Sequence, residues 1–239
     1  MSSNKKSKVT IAPEHWDNIF APSSALVMIT TVNSSGAVNA ATYGTCVRVA
    51  HGPVHLAFTC TEGTDTYSNI QATGEFVVNL VPFDPVMLGK VLTVGLPWRK
   101  GVNELEKADL TPLSAGRVTP PRIAECYAHF EMKVEWTHKW INRMTVVGAV
   151  VEASVNADCM DGDGFLIWEN AKPAHFCGGR YKDQFVPAHQ PITIDWDWQR
   201  LERLGVSSAD FRPLQGGIDD PVLVDAADWR DVYRSRVRT

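Results

Sequence analysis

Apolar positions fall in short runs separated by turn-forming residues, and helical periodicity is confined to brief stretches. Ala25 to Val32 (ALVMITTV) is continuously apolar and β-branched, the pattern of a strand buried on both faces. Asn33-Ser34-Ser35-Gly36 supplies a hairpin turn, with Gly36 available for positive φ. A returning strand over Ala37 to Thr42 follows, then a run from Thr45 to Val49. After the turn signal His51-Gly52-Pro53 comes a strand over Val54 to Thr59. Thr64 or Asp65 can cap a helix from Thr66 to Gln71 that Gly74 closes, and Phe76 to Val81 (FVVNLV) returns as a core strand. The order is βββαβ, which predicts a mainly β fold with peripheral helices, a small closed antiparallel barrel and not a parallel doubly wound sheet.

Ahead of this block, Pro13 suits the first turn of a short helix over His15 to Phe20. Behind it, Pro82 to Pro121 is irregular, with helices expected at Pro85 to Val91 and Asn103 to Ala108 and a turn from Leu96 to Gly101. A connection of that length predicts a covering role. Ala128 to Trp140 and Met144 to Val155 are two long β-rich runs around Ile141-Asn142-Arg143, a hairpin that completes the sheet. Ala174 to Lys182 reads as a loop that sets glycines beside aromatic and basic side chains. Beyond it Ile192 to Trp198 alternates like a strand, Gln199 to Leu204 is a short amphipathic helix, and Gln215-Gly216-Gly217 is a linker. Ala226 to Arg238 is a terminal helix whose arginines cluster towards its C-terminal end. The expected division is a tail over 1–12, a barrel domain over 13–189 and a C-terminal extension over 190–239.

Composition narrows the class. The 239 residues suffice for one large core, and 44% apolar residues, 21% charged residues and a net charge of −4 describe an ordinary globular chain with no basic excess for nucleic acid. The polar start MSSNKKSK has no apolar segment behind it, and no run of about 18 apolar residues occurs, so neither a signal peptide nor a membrane span is expected and the cytoplasm is favoured. Five scattered cysteines without CxxC spacing suggest neither a disulfide framework nor zinc. They read as buried thiols, with Cys46 open to a redox role. Asn156 to Gly164 (NADCMDGDG) fails as a calcium loop because Met160 or Phe165 stands at a ligand position, so it reads as a polar hairpin loop and no metal site is expected.

Two segments carry candidate chemistry. Thr61, Gly63, Thr64, Asp65 and Thr66 precede a helix N-terminus, which offers amides and hydroxyls to a phosphate as readily as it offers the helix a cap. The second, Asn39-Ala40-Ala41-Thr42-Tyr43-Gly44-Thr45-Cys46, is small and polar and is joined to the first by a single strand, which brings both to one side of a barrel.

At these residues the chain resembles the flavin reductase-like family of FMN-binding split β-barrels. The matching blocks are TTVNSSGAVNAATYG, HGPVHLAF, GTDTYSNIQATGEFVVNLV, PPRIAECYAHFEMKVE and NRMTVVGAVVEASV, spanning about Ala21 to Tyr181. The resemblance implies non-covalent FMN, with FAD as an alternative, in a homodimer with the site near its interface. It implies hydride transfer from NAD(P)H to flavin, with reduced flavin supplied to a partner monooxygenase. Other members keep FMN for electron transfer without a nicotinamide site, or for reducing a small organic substrate. Carried over by position, Asn39, Ala41, Thr42, Tyr43, Gly44, Thr45 and Cys46 line the isoalloxazine. Thr64, Asp65, Thr66 and Asn69 form the ribityl and phosphate end, and Gly179, Arg180 and Tyr181 approach the site.

One departure stands out: relatives often carry a basic residue where this chain has Thr64, so phosphate charge must be met elsewhere, with Arg48, Arg180 and Lys182 as candidates. His175, beside the Gly178-Gly179 pair, is the candidate proton donor, with His129 and His138 behind it; Trp98 and Tyr181 are candidates to cover the cleft. The segment after His189, with Trp196, Trp198 and Trp229, suits either dimer packing or a substrate lid. No Rossmann fingerprint is present, so NADH and NADPH are not distinguished.

Overall fold

Seven antiparallel strands make the main sheet in a computed structural model, which describes residues 8–13, 25–178, 183–192, 199 and 203–205. The chain divides into two compact units, Met1–Pro191 and Ile192–Thr239. The helices expected over His15 to Phe20 and Ala226 to Arg238 lie outside the described residues, as do 193–198 and 200–202 of the strand and helix expected between Ile192 and Leu204.

The elements of the first unit are β1 (Val27–Val32), β2 (Val38–Tyr43), β3 (Val47–His51), β4 (Val54–Thr61), α1 (Asp65–Thr73), β5 (Glu75–Leu80), α2 (Pro85–Val94), α3 (Glu104–Lys107), β6 (Pro112–Leu113), β7 (Arg122–Ile123), β8 (Ala128–Trp140), β9 (Arg143–Val155), α4 (Trp168–Ala171), β10 (Ala174–Gly178) and β11 (Gln184–Pro187). Four strands therefore precede α1 where three were expected, because Gly44-Thr45-Cys46 breaks the chain and β3 stands apart from β2. Further differences are β10 and β11, which pair antiparallel where a loop was expected, the β6–β7 pair, and the short helix α4, neither of which was expected.

The sheet order is β2-β1-β5-β8-β9-β4-β3, so β2 and β3 are its edges although they adjoin in sequence. Laid flat, those edges would lie about 29 Å apart at ~4.8 Å per strand. The link from Tyr43 to Val47 reaches only about 14 Å. The sheet must therefore curl until its edges face each other across a seam, and bulges in the β8–β9 ladder at Glu131/Met132 and Val134/Trp136 supply curvature.

β1 is buried along its whole length, as its apolar run requires. Val27 and Ile29 join Phe58, Phe76, Met132 and Val146 in one core, closed by Tyr67 and Ile70 of α1. Met28 faces the other way, into a core with Val91 and Val94 of α2 and Leu105 of α3. α1 starts at the N-cap Thr64, whose hydroxyl accepts from Tyr67 N, and ends at Gly74 in the left-handed region. Among the described residues no helix is long and apolar enough to cross a membrane.

Candidate functional site

As an edge strand, β2 leaves backbone groups on its outer side without a strand partner. One is met by α3: Glu104 Oε2 accepts from Ala40 N at 2.9 Å. Glu104 is 7% exposed, and burial pushes its carboxyl above the ordinary glutamate range while the Ala40 bond opposes the shift. Beyond Ala40, the edge from 41 to 45 lines a cleft of about 620 Å³ along the seam.

The first turn of α1 stands at the other end of this cleft. The first intrahelical bond runs from Ser68 N to Thr64 O, so the amides of Asp65 and Thr66 have no intrahelical acceptor. Gly63 makes the preceding turn with φ of 82°, a conformation that favours glycine. Asp65 Oδ2 accepts from Gly101 N at 2.9 Å, and Lys100 Nζ lies 3.9 Å from Oδ1, which ties residues 96–101 across the cleft. Arg143 Nη1 donates to Thr61 Oγ1 at 2.8 Å and completes the wall.

The two sequence segments are joined by side chains. Asn39 Nδ2 donates to Thr66 Oγ1 at 3.1 Å and to Thr31 Oγ1 at 3.3 Å, and the Tyr43 hydroxyl shares a hydrogen bond with the Thr66 side chain. The Tyr43 ring meets Phe58 edge-on at 4.9 Å, and burial pushes its phenol well above the usual tyrosine range.

Of the expected residues, Asn39, Ala41, Thr42, Tyr43, Gly44 and Thr45 line the cleft with Thr64, Asp65 and Thr66. Asn69 and Cys46 stand behind it. Asn69 is buried and donates to Thr31 Oγ1 at 3.0 Å, supporting Asn39 at one remove. Cys46 packs in the core with Leu56 and Phe58, and burial pushes its thiol up to about 12, which removes the thiolate that a redox role needs. Cys60 is the thiol in the cleft wall, raised by burial to about 11 against the opposing Arg143. Its place follows from the β4–β9 register and has no local signal in the sequence.

His175 is not among the described residues that line the cleft. It sits on β10 opposite Val186, outside the described cleft wall, and strand alternation sends it away from the face that carries Phe176. His129 bonds Ile123 O at 2.8 Å and Ser154 Oγ at 3.2 Å; burial lowers its pKa, and its role is structural. His138 is exposed on the distal half of β8. Gly179, Arg180, Tyr181 and Lys182 lie outside the described residues. Arg48 is exposed on β3 away from the cleft, and the cations in the described wall are Lys100 and Arg143, neither of which the sequence singled out. Trp98 does line the cleft, its Nε1 donating to Thr93 O at 2.9 Å.

The donor set fits a phosphate monoester carried on a flat ring: free amides, threonine hydroxyls and two cations at one end, and an open strand edge at the other. A curled antiparallel sheet with a polar cleft along its seam defines a split β-barrel. The family model of the flavin reductase-like domain matches residues 22–183, and the chain belongs to that family of flavin-related oxidoreductases. An uncharacterised protein of Methanothermobacter thermautotrophicus is 31% identical over 68% of this chain and 82% of its own length. Among solved structures, 2-nitrobenzoate 2-nitroreductase of Pseudomonas fluorescens has a TM-score of 0.68 at 18% identity, covering 80% of this chain and 96% of that one. Nitrilotriacetate monooxygenase component B of Bacillus cereus has a TM-score of 0.67 at 20% identity, covering 79% and 100%.

Proposed function

We propose that this protein is an FMN-dependent oxidoreductase of the flavin reductase type, taking a hydride from NADH or NADPH onto its flavin. The observation that carries this reading is the union, in one cleft, of an open helix N-terminus flanked by two cations with an exposed strand edge. The amides of Asp65 and Thr66, the Thr64 and Thr66 hydroxyls, Lys100 and Arg143 hold the phosphate. Asp65 alone would repel a phosphate, and its engagement by Gly101 N and Lys100 offsets that repulsion. The backbone from 41 to 45 orients the ring, while Leu96 and Trp98 exclude water from it. Bound FMN supplies the hydride acceptor, so the chain need contribute only binding, orientation and a dry wall.

The working unit in this reading is a homodimer, supported by Trp136, Trp140 and Ile141, which are 52%, 67% and 79% exposed on the β8–β9 hairpin. Light scattering tests it. A partner monooxygenase taking up reduced flavin is supported by the likeness to nitrilotriacetate monooxygenase component B. The central test is an absorbance spectrum of the purified protein with FMN, followed by anaerobic NADH or NADPH. Flavin uptake and bleaching by a nicotinamide are expected. Bleaching by dithionite alone would make the protein an electron carrier, and failure to take up FMN or FAD would end the flavin reading.

A further inference from the structure

A second cavity, of about 340 Å³, opens beside the β2 end of the cleft. The two share Thr42, Tyr43 and Gly44 at the end of β2, and Gly95 and Leu96 after α2. Past that shared wall the chemistry changes. Leu26, Val91 and Leu92 form one side, and Phe176 and Phe185 of the β10–β11 hairpin form another. The two rings are 5.5 Å apart and tilted by 54°. Asp183 is the one charged residue in this wall among those described, whereas the cleft brings together Asp65, Lys100, Glu104 and Arg143.

The junction is built narrow and polar. A Cβ at Gly95 would come within 3.0 Å of Thr42 Oγ1, and one at Gly44 would lie 3.7 Å from Phe176 Cβ and Cδ1. A side chain at Gly95 would crowd the passage, whereas one at Gly44 would meet Phe176 at ordinary contact distance, and Thr42 leaves one hydroxyl there. Leu92 of α2 and Leu96 just beyond its end remain 42% and 53% exposed although the neighbouring Val91 and Val94 of α2 are buried. Apolar side chains ordinarily collapse on one another to crystal-like density, so a hollow lined by leucine, valine and phenylalanine stands out.

We propose that this cavity binds an uncharged aromatic group of one or two rings, belonging to an organic substrate that lies beside the flavin ring. Its volume falls in the range of roughly 300–1,000 Å³ usual for small-molecule pockets, and a mainly apolar wall with the Thr42 hydroxyl at one end and the Asp183 carboxylate as its one described charge suits a phenol or naphthol more than a sugar or a phosphate. The purpose assigned to the pocket rests on the flavin reading, but the binding itself does not.

The test is calorimetric titration of the full-length protein with 2-naphthol, with and without FMN. The variant is Leu92→Glu, an exposed position that lines this cavity and not the cleft. Wild type is expected to bind one equivalent, and Leu92→Glu to bind about tenfold more weakly through the lost apolar wall. FMN titration and the melting temperature of the variant should match wild type. No uptake of 2-naphthol by wild type up to millimolar concentration, equal uptake by the variant, or one-for-one displacement by FMN would each overturn the proposal. Leu92-dependent uptake of 2-naphthol by a protein that refuses FMN would sink the flavin reading and leave the pocket standing.

Discussion

Replacing Arg143 with glutamine isolates one of the two cations at the end of the cleft proposed to take the phosphate. The guanidinium is anchored to Thr61 Oγ1 at 2.8 Å, and the residue is exposed at the first position of β9, so its removal leaves both cores intact. A hydrogen bond between charged partners is worth about 1.5–3 kcal/mol. Exposure and salt screening favour the lower end, which converts to roughly a tenfold rise in the Kd for FMN. Riboflavin lacks the phosphate and should bind wild type and Arg143→Gln alike. Quenching of flavin fluorescence measures both constants, and repeating the FMN titration at higher salt should weaken wild type more than the variant. Equal losses for FMN and riboflavin, or no loss for either, would refute the placing of the phosphate beside Arg143.

Glu104→Gln keeps an acceptor for Ala40 N but removes a titration. Because burial raises the folded pKa, this group's stabilising contribution is full below the unfolded value of about 4.3 and is lost as pH rises through the folded value. The variant should therefore gain on wild type in urea midpoint between pH 4 and pH 7, and a constant difference across that window would contradict the assignment. Tyr43→Phe retains the ring against Phe58 and loses the bond to Thr66, for an expected cost of about 0.5–1.5 kcal/mol in chemical denaturation; an unchanged midpoint would show that the bond contributes nothing. At Gly148 an added Cβ would lie 2.9 Å from Phe76 Cζ and 3.0 Å from Lys133 O, so Gly148→Ala should overpack the core by about 1–3 kcal/mol, with a melting temperature equal to wild type as the contrary result.

What was legible in the chain was what local chemistry determines. The apolar run of β1 foretold burial on both faces, and Thr64 and Gly74 marked the ends of α1 to within a residue or two. The two small polar segments foretold a shared cleft, although the β3–β4 hairpin separates them and not the single strand expected. Missing were the groups that arrive from far along the chain. Lys100 and Glu104 come from the connection between β5 and β8, and Arg143 from the turn of a hairpin; each is an ordinary surface-type residue until the fold sets it against Asp65, Ala40 or Thr61. Cys46 shows the converse: it follows Thr45 in the segment that lines the cleft, yet its side chain packs in the core.

Glu104 also bears on how an exposed edge can serve as a binding wall. An unpaired edge such as β2 invites pairing with another strand. Here α3 covers the Ala40 amide with a buried carboxyl, while the stretch from 41 to 45 stays open to the cleft. Half of the edge is thus closed to another strand, and the remainder is too short to template one. A flat ligand needs only a few backbone groups in a row, whereas a strand needs a longer ladder. Placing an acid of raised pKa at the boundary costs stability at neutral pH, and that cost is intelligible if the open half of the edge is the part that binds.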